Sequence, residues 1–283
     1  MLNILTLSWE GADRLAKLHD SLIPSLQDIP FRWIIRDNGS KDNTVAMIQK
    51  WQETNPNIIL YQHPNNSQNF SQGCNQLFQL ASPAETDYVM LLNNDVVFQD
   101  IQSIHKMLAI LDRDEEVGMV GARLLYSTDQ TLQHAGVVFV PSYQTPTHFR
   151  ARQQSDTNAQ SNRVFQVITG AVCITRAGLY ANCYQHNKSG IAGMDEGYHW
   201  AFDDVDLCLA IRYKMRKQVV YCGETNITHE ESASLKKNPA NKLFLSSNLS
   251  RLFGKWKGRY SIDSEVYANN PKHNLYTIPK DKA

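Results

Sequence analysis

Along the first hundred residues, short apolar runs alternate with stretches whose apolar residues recur every three or four positions. LNILTLS (2–8), FRWIIRD (31–37), NIILYQ (57–62) and DYVMLLN (87–93) predict strands. Asp13–Leu26, ending near Pro24, Asp42–Thr54, Ser71–Ala81 and Ile101–Asp112 predict helices. Strands apolar along their whole length, with amphipathic helices between them, imply βαβ units and a parallel sheet covered on both faces. The second half is less regular. VGMVGARLL (117–125), AGVVFV (135–140), VFQVITGAVCITR (164–176, with a Gly-Ala break) and QVVYC (218–222) predict strands, and Asp203–Lys217 a helix. Residues 141–163, polar and with two prolines, predict a long mobile loop. Asn241–Trp256 has helical spacing of Leu243, Phe244, Leu249, Leu252 and Phe253, which predicts a C-terminal helical extension.

One run breaks its own pattern. YVMLLNNDVVF (88–98) is apolar to Leu92, polar at Asn93, Asn94 and Asp95, and apolar again from Val96. In an open α/β sheet, ligands bind beyond the carboxyl ends of the strands, so this strand reads as passing from core into crevice. Extended alternation puts Asn93 and Asp95 on one side and Asn94 on the other. A carboxylate there suits a divalent cation that bridges phosphates. A plain Asx turn suits the same residues equally well.

A second acidic cluster, FDDVDLCLAIR (202–212), opens a helix with Asp203, Asp204 and Asp206 in its first turn. Acids favour a helix N-terminus by ~0.3–1 kcal/mol each. A cap needs only one oxygen, however, and crowded carboxylates repel, which raises one pKa and suits a general base working near neutral pH. His229, in the THEES segment after QVVYC, reads as a loop residue and a candidate metal ligand.

Composition narrows the class. The chain has 283 residues, 42% hydrophobic and 20% charged, with 28 basic and 28 acidic side chains, so no basic excess points to nucleic acid. No apolar stretch approaches the ~20 residues that span a bilayer, and the N-terminus lacks a basic n-region, so a cytoplasmic protein is expected. Five scattered cysteines without a CxxC pair favour a reducing compartment, with Cys208 and Cys222 as core residues. Lys242, Arg251, Lys255, Lys257 and Arg259 leave three uses open for the tail: peripheral contact with an anionic membrane, a homodimer interface, or a packing face.

Taken together, these motifs resemble the inverting nucleotide-sugar glycosyltransferases of glycosyltransferase family two, especially the bacterial rhamnosyltransferase-like branch, from about Leu2 to Ser234. LTLSWEGADRL resembles the opening strand and turn of the nucleotide pocket, including Ser8, Trp9 and Glu10. RDNGSKDNT resembles the segment whose aspartate, here Asp37, contacts the base. NNSQNFSQGCNQ, with Asn69 and Gly73, resembles the segment leading into the third helix. LLNNDVVF stands at the DxD-type metal motif, with Asn93 and Asn94 before Asp95. VITGAVCITR resembles the stretch bordering the acceptor cleft, here Thr169, Gly170 and Ala171. FDDVDLC resembles the segment carrying the base.

The resemblance implies a GT-A fold, a Rossmann-like, mostly parallel sheet flanked by helices. It implies a catalytic domain over 1–238, with a nucleotide-binding half at about 1–98 and an acceptor-binding half at about 99–238, and a tail over 239–283. It implies a nucleotide-diphosphate sugar donor, a glycan or lipid-linked acceptor, and Mg²⁺ or Mn²⁺ at Asp95 with His229. Asp204 would be the base. Asn93 removes a charge from the metal motif, and Asp203 stands for the family's Glu, so the base lies between Asp203 and Asp204. Gln133-His134 also resembles a family stretch. Two rivals remain: a non-catalytic sugar-nucleotide or glycan-binding relative, and a sugar-phosphate nucleotidyltransferase. GxGxxG and GxxxxGK[ST] are both absent, which argues against NAD and P-loop chemistry.

Overall fold

Leu2, Ile4 and Leu5 carry the first strand, β1 (Leu2–Ser8), through the interior with side chains buried on both faces. A computed structural model describes residues 1–142, 145–199, 201–230 and 243–279. The proposed boundary at 238/239 and the end of the resemblance at Ser234 lie outside them. After β1 the chain forms α1 (Ala12–Ser25), β2 (Phe31–Asp37), α2 (Thr44–Thr54), β3 (Ile58–Gln62), α3 (Phe70–Ala81), β4 (Tyr88–Leu92), β5 (Val96–Phe98) and α4 (Ser103–Arg113). Then follow β6 (Val117–Tyr126), β7 (Leu132–His134), β8 (Val137–Phe139), β9 (Pro146–His148), β10 (Arg163–Phe165), β11 (Val172–Arg176) and α5 (Ala177–Cys183). Helix α6 (Asp203–Tyr213), β12 (Gln218–His229), α7 (Leu245–Trp256) and α8 (Ser264–Asn269) complete the described chain.

The sheet runs β10-β12-β6-β11-β4-β1-β2-β3, with β5 added on β12 and β7 on β6. It is mostly parallel; β11 runs antiparallel to both β4 and β6, so β6 and β12 point the same way as β1 to β4. The carboxyl ends of β1, β2, β4 and β12 therefore share one edge, where β11 begins. Period two divides each central strand between two cores. Val89 and Leu91 face α3, α5 and α6, while Met90 and Leu92 face α1 and α4. Each such buried side chain contributes roughly 1.5–3 kcal/mol, which is why these strands carry no polar face.

Four readings change. YVMLLNNDVVF is two strands, because a turn at Asn94–Asp95 swings β5 onto β12. The described part of 141–163 holds strand β9, paired with β8, and an Arg150–Asp156 ion pair of 2.7 Å, with Ala159 buried beneath. Helix α6 stops at Tyr213 rather than Lys217, where Arg216 takes a left-handed φ of 58°. His229 ends strand β12 and is not a loop residue.

All five cysteines are buried and unpaired. The tail packs on the body: Leu252, Trp256, Tyr260 and Tyr267 belong to the main core. Among the described residues no helix is long and apolar enough to cross a membrane.

Candidate active site

The sheet edge where β1, β2, β4 and β12 end gathers the polar residues singled out by the sequence. Ser8 closes β1 and is buried; its Oγ accepts a hydrogen bond from Asn94 Nδ2 at 3.2 Å. A Cβ at Gly11 would fall 2.8 Å from that same amide nitrogen, so a larger residue there would push the Asn94 amide aside. Glu10 ties this turn to the one after β2: its N–H donates to Ser40 Oγ (2.9 Å), and its Oε1 accepts from Lys41 N–H (2.8 Å). Trp9 lies half-buried between Ser8 and Glu10.

Asp37 ends β2 and is 2% exposed. Its Oδ2 accepts from the Gly39 and Ser40 N–H groups, each at 3.0 Å, so it does close the NGS turn. Its Oδ1 is buried with no hydrogen-bond partner among the described residues. A buried acceptor left over after the turn is satisfied calls for a donor from outside.

Asn69 is the N-cap of α3 in a reciprocal box with Gln72, and its Nδ2 donates to the Glu196 carbonyl at 2.9 Å. A Cβ at Gly73 would fall 2.7 Å from Leu7 Cδ1. Both residues therefore set how α3 lies on the sheet.

Asn93 and Asp95 meet across the turn at the same partner. His229 Nε2 lies 3.0 Å from Asp95 Oδ1 and 3.3 Å from Asn93 Nδ2. The His229 and Asp95 side chains are 10% and 9% exposed. Gln133, on β7, fixes the ring: its Nε2 donates to the His229 carbonyl (3.4 Å), which turns its Oε1 toward His229 Nδ1 at 2.6 Å. Nδ1 therefore donates to Gln133, and Nε2 is the ring nitrogen that faces the Asp95 carboxylate. Burial pushes the Asp95 carboxyl up. The His229 hydrogen bond and charge, with the Arg14 charge behind them, outweigh it and hold the group below its ordinary value.

One imidazole nitrogen and one carboxylate, with an outer amide orienting the ring, fit a Mn²⁺ or Mg²⁺ ion that takes its remaining ligands from phosphates and water. Among the described residues no group of three or more His, Cys, Asp or Glu is placed to hold a metal ion.

The second cluster opens α6, after Ala201 and Phe202 in consecutive left-handed conformations (φ 62° and 67°), a strained entry of the kind found at functional sites. Asp203 and Asp204 line a cavity of about 290 Å³ together with Val137, Pro146, His148, Ala201, Phe202 and Val205. Asp204 Oδ2 accepts from Gly170 N–H at 3.0 Å and its Oδ1 from Val205 N–H at 2.8 Å. Burial first, and the charge of Asp204 next, raise the Asp203 carboxyl above the ordinary carboxylate range.

Asp206 leaves this pair. It is fully buried behind it, accepting from Tyr198 Oη (3.0 Å) and Trp256 Nε1 (2.7 Å) and pairing with Lys255 (2.6 Å). Arg251 and Lys255 also bind Asp195, so two of the tail's cations clamp α7 to the body.

Thr169, Gly170 and Ala171 connect the two clusters. Ala171 O accepts from Asn93 N–H at 2.9 Å, while Gly170 holds Asp204. Thr169 and Ala171 are buried, and none of the three lines the cavity. Gln133 lies in a stretch that the sequence did mark; Arg14 and His148 are the residues the motifs did not single out. Arg14 has one weak signal, a cation one turn after the Gly11 bend; His148 has none, because it sits in polar sequence.

A family model described as glycosyl transferase family 2 matches residues 5–178. A search of the curated proteins finds no match. Among solved structures, a mannosyltransferase of Pyrobaculum calidifontis in complex with GDP-Man and Mn²⁺ is similar over 94% of this chain and 69% of its own, at 14% identity and a TM-score of 0.64. GalNAc-T7 with UDP, GalNAc and Mn²⁺ is similar over 81% of this chain and 43% of its own, at 9% identity and a TM-score of 0.62. S. aureus TarS 1–349 with UDP-GlcNAc is similar over 93% and 77%, at 14% identity and a TM-score of 0.54. At these identities the likeness is one of fold, and that fold is GT-A.

Proposed function

The chain belongs to glycosyl transferase family 2, and from that premise we propose that it moves a sugar from a nucleotide-diphosphate sugar to a hydroxyl of a glycan or lipid-linked acceptor, by a single displacement that inverts the anomeric centre. The observation that carries this reading is the junction of β4 and β11. There the Asn93 N–H bond to Ala171 and the Gly170 N–H bond to Asp204 join the two carboxylate sites at one sheet edge.

The donor side uses the ends of β1, β2, β4 and β12. Asp37 Oδ1, without a partner among the described residues, accepts from an N–H edge of the base. Asp95 and His229 hold Mg²⁺ or Mn²⁺, held in turn by Gln133. The ion, when bound, offsets as a Lewis acid the charge that develops on the departing diphosphate. Arg14, whose charge reaches Asp95, adds a fixed cation beside it. Solved relatives of this fold hold GDP-Man with Mn²⁺ and UDP with Mn²⁺, which supports a donor and ion of this class.

On the acceptor side, Asp204 takes the proton from the attacking hydroxyl. Its two backbone donors, Gly170 N–H and Val205 N–H, fix its direction. Asp203, raised in pKa, is the second reading for the base, because a group that titrates closer to working pH is better matched to proton transfer.

The resemblance of the motifs to the rhamnosyltransferase-like branch supports a role in bacterial surface polysaccharide synthesis in the cytoplasm. Any membrane contact falls to exposed Leu243, Phe244, Lys257 and Arg259, since Arg251 and Lys255 are tied inward. Flotation with anionic vesicles tests that contact; recovery of the protein only in the pellet argues for a packing face or a dimer.

A thermal-shift screen with UDP, GDP and dTDP, with and without Mn²⁺, tests the donor assignment. One nucleotide should stabilise the protein, more strongly with Mn²⁺. No shift with any of them would sink the reading.

A further inference from the structure

Arg14 stands in the first turn of α1, at the sheet edge where β1 and β4 end. Its Nη2 donates to the Glu10 carbonyl at 3.2 Å, which ties the guanidinium back to the turn after β1. Arg14 Nη2, Ser8 Oγ and Asn94 Nδ2 all lie within 3.5 Å of the point where a Cβ on Gly11 would stand. The guanidinium is therefore beside Asn94, the chain neighbour of Asp95, and its charge reaches the Asp95 carboxylate.

This cation is tethered but not neutralised. Arg14 Nε is buried with no hydrogen-bond partner among the described residues. Arg14 joins no ion pair among them either, whereas Arg251 and Lys255 both bind Asp195, and Asp95 pairs with His229. A guanidinium presents five donors in a planar fork that matches phosphate oxygens. A buried donor that is held in place and left unpaired calls for an acceptor from outside.

Charge narrows that acceptor to the diphosphate of the donor. In a nucleotide sugar this group carries two negative charges. When the bond from the anomeric carbon to the phosphate oxygen breaks, its electron pair stays on that oxygen and adds a third. Asn93 and Asn94 are neutral, so the metal motif offers one carboxylate, Asp95. A divalent ion beside Asp95 offsets one of the diphosphate charges, and Arg14 offsets the second. The third develops only during the displacement, where a cation fixed in advance stabilises it without rearranging.

We infer that Arg14 binds the donor diphosphate directly, at the phosphate that bears the sugar, and retains it even without a metal ion. This inference rests on the glycosyl-transfer reading above and adds a diphosphate-binding residue that acts independently of the ion.

The test is calorimetric titration of the full chain with UDP, GDP and dTDP and with UMP, GMP and dTMP, each in EDTA and in Mn²⁺. In EDTA the wild type should bind the diphosphate of its preferred base about tenfold more tightly than the monophosphate. Arg14→Gln keeps a donor for the Glu10 carbonyl and removes the charge. It should weaken the diphosphate about 10–100-fold in EDTA, the range for lost hydrogen bonds to a charged group, and leave the monophosphate within about twofold. Arg14→Lys keeps the charge without the fork and should fall between Arg14→Gln and the wild type.

Four results would overturn the inference while leaving glycosyl transfer intact. They are no diphosphate preference in EDTA, unchanged diphosphate affinity in Arg14→Gln, equal loss of mono- and diphosphate, and a loss confined to Mn²⁺. The last would mean that Arg14 acts only through Asp95. Failure of the wild type to bind any of the three diphosphates in Mn²⁺ would remove the glycosyl-transfer reading and this inference with it.

Discussion

His229 Nε2 and Asp95 Oδ1 lie 3.0 Å apart, one at the end of β12 and the other in the turn between β4 and β5, with Gln133 fixing the histidine from behind. The sequence separates these three residues widely. The sheet unites them because β5 pairs with β12 and β7 pairs with β6.

The proposed metal site depends on its outer partner. Gln133→Leu should weaken Mn²⁺-dependent nucleotide binding about 10–100-fold, the usual cost of losing an outer-sphere bond to a metal-bound histidine. His229→Ala should abolish the Mn²⁺ dependence. Calorimetric titration of the nucleotide with and without EDTA measures both. Binding indifferent to EDTA would assign Asp95 to the turn alone.

Asp203 couples stability to pH with a definite sign. Burial and the neighbouring Asp204 push its carboxyl up to about 7 in the folded chain, against ~3.9 when unfolded. Between these values the folded state holds a proton that the unfolded chain has lost, so stability falls as pH rises through that window and the cost is complete above about 7. Asp203→Asn removes this cost. Its Tm advantage over wild type should therefore grow from pH 5 to pH 8, by roughly 2–4 °C for each kcal/mol relieved. A constant difference between the two pH values would contradict the raised pKa.

The same pair separates the two candidate bases. If Asp204 is the base and Asp203 takes the first proton, kcat/KM should stay level as pH falls through about 7. A fall centred near 7 that disappears in Asp203→Asn would transfer the role to Asp203.

Gly170 is packed against Asp204. A Cβ there would sit 2.9 Å from Asp204 Cβ, too close for either to remain. Gly170→Ala should displace the carboxylate and cost about 10²-fold in transfer, as misplacements of about 1 Å do, with nucleotide affinity unchanged. Full activity in this variant would detach Asp204 from the chemistry.

The clamp behind α6 is structural. Lys255 pairs with both Asp195 and Asp206, and Asp206 is fully buried. Lys255→Met should lower stability by roughly 3 kcal/mol, because it leaves a buried carboxylate without its counter-charge. Urea denaturation measures the change; an unaltered midpoint would mean that Trp256 and Tyr198 suffice for Asp206.

Period two and period 3.6 made the first half of the fold legible. β1 and β2 match their predicted spans, and α1 to α4 differ by a residue or two at their ends. The break at Asn93–Asp95 was also readable, since polar groups in a buried strand need a reason. The turn that redirects β5 left no such mark, because Val96–Phe98 is as apolar as the strand before it. Three acids in one helical turn looked like one cluster. Asp206 instead faces the core, one helical step round from Asp203 and Asp204, and answers to Trp256 in the tail. His148 was unreadable because local composition carries no trace of His134, the partner that orients it.

The division of labour between the two carboxylates is tested most directly in Asp204→Asn, with sugar transfer and Mn²⁺-dependent nucleotide binding measured on one preparation. Transfer should fall about 10²–10⁴-fold, the range expected when a general base is removed, while the nucleotide dissociation constant stays at its wild-type value. Transfer that survives, or nucleotide binding lost in equal measure, would contradict the assignment.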